Sequence, residues 1–209
     1  MSHCCEEAAC EADKLQARQR WVLWTVLVVN AAMFGVEVIA GWLAASTALL
    51  ADAADMLGDA SVYAVSLLAV SRGPVWKARA ATLKGAVMVA FAVLVLAQAL
   101  WRALDPTLPH AGTMGAVGAL ALAANLLCFG LLWRSRGDDV NMRSVWLCSR
   151  NDLFANVAVL ASAAAVALLG SRWPDLLVGA AIAGLFLHSA LDVFRDARAS
   201  LRDPLPVGS

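Results

Sequence analysis

Charge is what this sequence has least of: 15% of its 209 residues are Asp, Glu, Lys or Arg, where soluble domains carry about a quarter. The sixteen basic residues balance sixteen acidic ones, so no basic surface recommends a nucleic-acid partner. A disulfide framework is also missing. Cys4, Cys5 and Cys10 crowd the N-terminus, while Cys128 and Cys148 lie in or at the ends of apolar runs, the pattern of reduced thiols in or facing a cytosol. The opening MSHCCEEAACEADKLQARQR is acidic where a signal peptide is basic, and the apolar run after it is too long for a signal core. No nucleophile–base arrangement and no phosphate-binding loop appears, so an enzyme is not expected.

What fills the space is hydrophobic sequence, 61% of the chain, with a mean hydropathy of +0.72. Segments 21–43, 48–70, 80–104, 114–133, 140–169 and 175–193 are each long and apolar enough for a bilayer span of about 20 residues. Turn-forming residues separate them: Ser71 to Pro74, Asp105-Pro106 with Pro109, Gly137 to Asp139, and Gly170 to Pro174. Asp139 is placed to cap the fifth helix. Trp21, Trp101, Trp133 and Trp173 lie where apolar runs meet polar loops, the depth at which indole rings settle in headgroups.

Basic residues alternate by side. Lys14, Arg18, Arg20, Arg72, Lys77, Arg79, Arg134, Arg136, Arg143, Arg195, Arg198 and Arg202 collect on one side, with Arg102 and Arg172 on the other. The positive-inside rule then puts both termini in the cytoplasm. The expectation is an all-α polytopic membrane protein with six transmembrane helices. Residues 1–20 form a disordered cytoplasmic tail, 21–195 the membrane domain and 196–209 a short cytoplasmic tail. Too little chain follows Arg202 for a soluble domain.

Within this apolar frame the acids stand out. Asp55 and Asp59 are four residues apart in the second span, so a helix stacks them on one face, with Asp52 a turn before. A carboxylate at the bilayer centre costs about 2.5–3.5 kcal/mol on insertion scales, which points to a cation path. The fifth span, antiparallel to the second, carries Cys148 and Asp152 at the same spacing. At about 1.5 Å per residue, both pairs fall within one or two turns of a common depth. Four such ligands from two helices suit a tetrahedral site of the kind zinc prefers, and a thiolate among them favours Cd²⁺ as well. Three carboxylates and a thiolate cannot all ionise in an empty low-dielectric cavity. The empty site is therefore expected to hold protons that a metal displaces, which is the logic of proton/metal antiport.

The run from Phe34 to Asp59, FGVEVIAGWLAASTALLADAADMLGD, resembles the first two spans of the cation diffusion facilitator (cation efflux) family. In that family an LLADA run leads into a His-or-Asp, three residues, Asp pair. Asn151 to Val157 (NDLFANV) and Trp173 to Gly179 (WPDLLVG) resemble its fifth- and sixth-span elements. The likeness runs from about Val22 to Pro204. It implies a six-helix homodimer in a cell (inner) membrane, exporting Zn²⁺ and related ions against inward H⁺ flow. By position the ligands are Asp55, Asp59 and Asp152, with Cys148 where the family usually has His. Three departures accompany it: that Cys148, a loop at 72–79 without His or Asp, and no C-terminal cytoplasmic domain. Two other readings stay open: a different cation (Co²⁺, Ni²⁺) or uptake direction, and a membrane metal-binding or sensory subunit that transports nothing.

The remaining polar residues carry paired readings. Asp52 is a gate or relay, or lies at the outer end of its span. Glu37 is a proton relay or a packing partner, and Asn30 and Asn156 either join helices by hydrogen bonds or bind metal, Asn156 sharing the face of Asp152 one turn on. Arg150 snorkels to the rim. His188 and Asp192 make either a metal pair or a local contact, and Cys128 fills space. His3, Cys4, Cys5, Glu6, Glu7 and Cys10 either collect soft metals or form a plain tail.

Overall fold

The computed structural model describes residues 2–69, 74–105, 107–134 and 140–202. Six helices follow one another: α1 (Ser2–Leu43), α2 (Thr47–Ala69), α3 (Pro74–Leu104), α4 (Ala111–Trp133), α5 (Val140–Leu169) and α6 (Trp173–Arg202). Every expected span is thus a helix. Five contain stretches long and apolar enough to cross a membrane: Arg20–Leu43, Gly85–Leu104, Ala111–Trp133, Asp152–Leu169 and Trp173–Asp192. The sixth, α2, has 23 residues, about 35 Å at helical rise, but three aspartates interrupt its apolar character. Trp42, Leu43, Trp101, Leu104, Leu168 and Leu169 are exposed near the helix ends, an apolar surface that lipid covers. The chain is a multi-pass integral membrane protein.

One difference concerns the N-terminus. Residues 2–20, expected as a disordered tail, continue α1 as helix. Their composition explains it, since Ala, Glu, Gln, Lys, Leu and Arg dominate and all are strong helix formers.

α2 is the central element, packing against α1, α3, α5 and α6, while α4 lies along α5 and α1. Its start is tied down twice. α1 ends at Ala45, whose φ of 55° is left-handed, and Ser46 N–H donates back to Gly41 O at 2.9 Å. Ser46 then caps α2, its Oγ accepting from Leu49 N–H at 3.1 Å. The second tie crosses the protein. Asp175, in the first turn of α6, accepts from Ser46 Oγ–H at 2.6 Å and Thr47 N–H at 2.7 Å. It also accepts from Ala48 N–H at 3.1 Å. Its carboxylate thereby takes up the orphan donors of a helix N-terminus, where the helix dipole also favours it. One turn further along α6, Gly179 approaches α2 so closely that an added Cβ would lie 2.7 Å from Thr47 C and 2.8 Å from Ala48 N.

The same end of the molecule is closed by shorter ties. His110 N–H donates to Ala44 O at 2.8 Å, and its Nδ1 caps α4 by accepting from Thr113 N–H at 3.3 Å. Arg172 Nη2 donates to Ala103 O at 3.1 Å, satisfying a carbonyl at the end of α3. Asp105 accepts from both Thr107 N–H (3.0 Å) and Thr107 Oγ1–H (2.7 Å), and these bonds hold its carboxyl below the usual carboxylate range. α5 stops at Gly170, whose φ of 57° is the left-handed cap that glycine adopts without a Cβ penalty.

Ala45 does bear that penalty. Ala45→Gly is expected to stabilise the protein by about 0.5–1 kcal/mol, the left-handed cost less the entropy glycine adds to the unfolded chain. The thermal midpoint in detergent reads this; a lower midpoint than wild type refutes it.

Candidate metal centre

Asp52, Asp55, Asp59 and Tyr63 follow at intervals of three and four along α2, so they share one stripe of the helix. The stripe lies between two apolar clusters. On one side Leu49, Leu50 and Ala51 pack with Val159, Ala163 and Val166 of α5. On the other, Tyr63 packs with Val22, Val26, Cys128 and Leu132. Polar side chains therefore occupy the middle of the bundle, with hydrophobic layers above and below.

α5 faces this stripe in antiparallel register. Asn156 Nδ2 donates to Asp52 Oδ1 at 3.2 Å and to its own helix at Asp152 O, 3.0 Å away. One turn earlier, Asp152 is buried against the stretch of α2 that carries Asp55 and Asp59, close enough for the three carboxyl charges to interact. Carboxylates packed this way in a low dielectric repel one another unless protons or cations lie among them. Three of the four expected ligands, Asp55, Asp59 and Asp152, are thus brought together. They are neighbours without being a preformed cage: among the described residues, no three of His, Cys, Asp and Glu are grouped at metal-holding spacing. Cys148 lies on α5 one turn before Asp152, at the level of Asp59 to Tyr63 by continuation of the same register. Its side chain lies outside the described residues, as do those of Arg150, His3, Cys4, Cys5, Glu6, Glu7 and Cys10.

Tyr63 escaped the sequence reading. Its OH donates to Asp59 Oδ2 at 3.1 Å and the side chain is buried, so the phenol orients that carboxylate. The signal was present: Tyr63 is the single tyrosine of the chain, one turn after Asp59 on the same face.

The other singled-out residues divide clearly. Glu37 is fully buried on α1. Asn30 donates to Val26 O at 2.9 Å and more weakly to Cys128 Sγ at 3.9 Å, joining α1 to α4. His188 and Asp192 form an exposed contact at 3.5 Å that Arg195 extends at 3.6 Å, a surface network of small energetic weight.

Comparison with known proteins adds an independent line. The cation efflux transmembrane domain family matches residues 23–202. The zinc transporter ZitB of Escherichia coli is 31% identical over 192 residues, covering 86% of this chain and 61% of that protein. A protein of Bacillus subtilis named as a cadmium, cobalt and zinc/H(+)-K(+) antiporter is 26% identical over 207 residues, 91% of this chain and 65% of its own length. The metal cation efflux system protein CzcD of Cupriavidus metallidurans is 28% identical over 163 residues, covering 72% and 51%. The chain spans about three fifths of the length of the curated relatives it matches.

Proposed function

Because the chain belongs to the cation efflux transmembrane domain family, we propose that it moves a divalent transition-metal cation out of the cytoplasm in exchange for protons. The cargo is Zn²⁺ or Cd²⁺, and Asp55, Asp59, Asp152 and Cys148 are its ligands. The observation that carries this reading is the meeting of the Asp55, Asp59 and Asp152 carboxyls inside a bundle of apolar helices. Like charges at that spacing do not persist in a low dielectric without cations or protons between them. A divalent ion entering the cluster displaces protons. Four ionised ligands carry twice the charge that one dication offsets, so a near-neutral metal-filled form keeps protons on two of them, as the protonated form keeps them on all four.

The names of the relatives support zinc and cadmium as cargo, and one includes proton antiport. The alternation of basic residues supports cytoplasmic termini, which makes the N-terminal end of α2 the outer end. A homodimer, as the family resemblance implies, completes the proposal.

The test is metal flux in proteoliposomes under an imposed pH gradient. Wild type is expected to carry Zn²⁺ and Cd²⁺ in proportion to the gradient. Cys148→His is expected to shift the Cd²⁺-to-Zn²⁺ flux ratio about tenfold toward Zn²⁺, because imidazole replaces the softer thiolate. An unchanged ratio removes Cys148 from the ligand set. Tight binding in detergent with no flux favours a sensory subunit.

A further inference from the structure

Several buried polar atoms lack a hydrogen-bond partner among the described residues, Asn125 Nδ2 and Arg172 Nε included, but on α1, α2 and α5 all of them are oxygens. Glu37 is fully buried, and among the described residues neither Oε1 nor Oε2 has a hydrogen-bond partner. Asp52 Oδ2 and Asn156 Oδ1 are in the same condition, on side chains that are also fully buried.

The helix packing sets these atoms at one level. On α1, the Gly41 position abuts Leu49 and Leu50 of α2, and Met33 packs with Met56. Glu37, midway between Met33 and Gly41, is therefore level with residues 52–53. From the other side, Asn156 is bound through Nδ2 to Asp52 Oδ1, which keeps its own Oδ1 beside the same carboxylate. Three helices thus converge, one of which, α1, contributes nothing to the first ligand set.

The sign of the unpartnered atoms is informative. Orphan N–H groups would call for an anion. Orphan oxygens, two of the three side chains being acids, call for a cation, since leaving them bare in a dry interior is costly. Charge points the same way: Glu37 and Asp52, when both are ionised, together offset one dication.

We propose that Glu37, Asp52 and Asn156 form a second, oxygen-only cation position, about one helical turn from Asp55 toward the start of α2, through which the transported divalent ion passes. The proposal rests on the transport reading above. With no thiolate, this position holds soft cations less tightly than the first. In the proposed topology it lies on the outward side, so a weaker stop follows a tighter one on the way out.

Equilibrium dialysis of the full chain in detergent against Cd²⁺ tests this, with elution volume and helical content confirming that each variant is folded. Wild type is expected to bind two ions per chain, the weaker with a Kd at least about tenfold higher. Glu37→Gln and Asp52→Asn, both near-isosteric, are expected to delete the weaker step and leave the tighter Kd within about threefold. Asp59→Asn is expected to do the reverse. A single tight ion in wild type overturns the second position while leaving the first intact. So does a weaker step that survives Glu37→Gln, or a Glu37→Gln that loosens the tight step as much as Asp59→Asn. No binding by wild type overturns both positions together.

Discussion

Asp59→Asn is expected to reduce metal flux by at least about 100-fold, more than the 10–100-fold that disturbing a ligand's outer partners usually costs. Asp59 lies between the Asp152 charge across the helix interface and Tyr63, whose hydroxyl donates to it one turn along α2. The amide keeps the size and most of the hydrogen bonding of the acid but removes the charge that a dication needs. Under the proposed exchange it also removes a proton carrier, so coupling to the pH gradient is expected to be lost along with the metal. The assay is Zn²⁺ uptake into proteoliposomes, compared with wild type inserted at equal density. Flux within threefold of wild type would defeat the assignment of Asp59 as a ligand.

The second large effect is on the fold. Gly179→Ala is expected to cost at least about 3 kcal/mol, because the new methyl meets backbone atoms of Thr47 and Ala48 at under 3 Å and no rotamer can relieve it. Pushing α6 away from α2 also loosens the Asp175 hydrogen bonds to Ser46, Thr47 and Ala48, each buried donor so stranded costing about 1–3 kcal/mol. For a chain of this size the thermal midpoint falls by about 6–12 °C. Gly184→Ala is the control on the same helix: an added Cβ there meets nothing within 4 Å. It leaves the midpoint unchanged or slightly raised, as alanine's helix propensity requires. Equal midpoints for the two variants would show that the helices separate without penalty.

Much of this architecture can be read from the chain because membrane helices announce themselves by length and apolarity. Segment 48–70 became Thr47–Ala69 and 140–169 became Val140–Leu169. The same physics makes Asp55 and Asp59 legible, since a charge is conspicuous where every neighbour is apolar. What escapes is partnership across long sequence separations. Asp175 reads as the polar start of a sixth helix, yet its work is done on α2, more than a hundred residues earlier. Tyr63 reads as one more apolar residue until its hydroxyl is found on Asp59. Residues 2–20 mislead differently: their polarity suggests a loose tail, while their helix-forming composition lets α1 run on without a break.

The Asp175 carboxylate gives α2 and α6 a common origin. A helix whose first amide groups are held by its neighbour, with backbone nearly touching backbone at Gly179, cannot tilt away at that end by itself. Any rearrangement that tilts one of them must carry the other, so the two swing as a single lever.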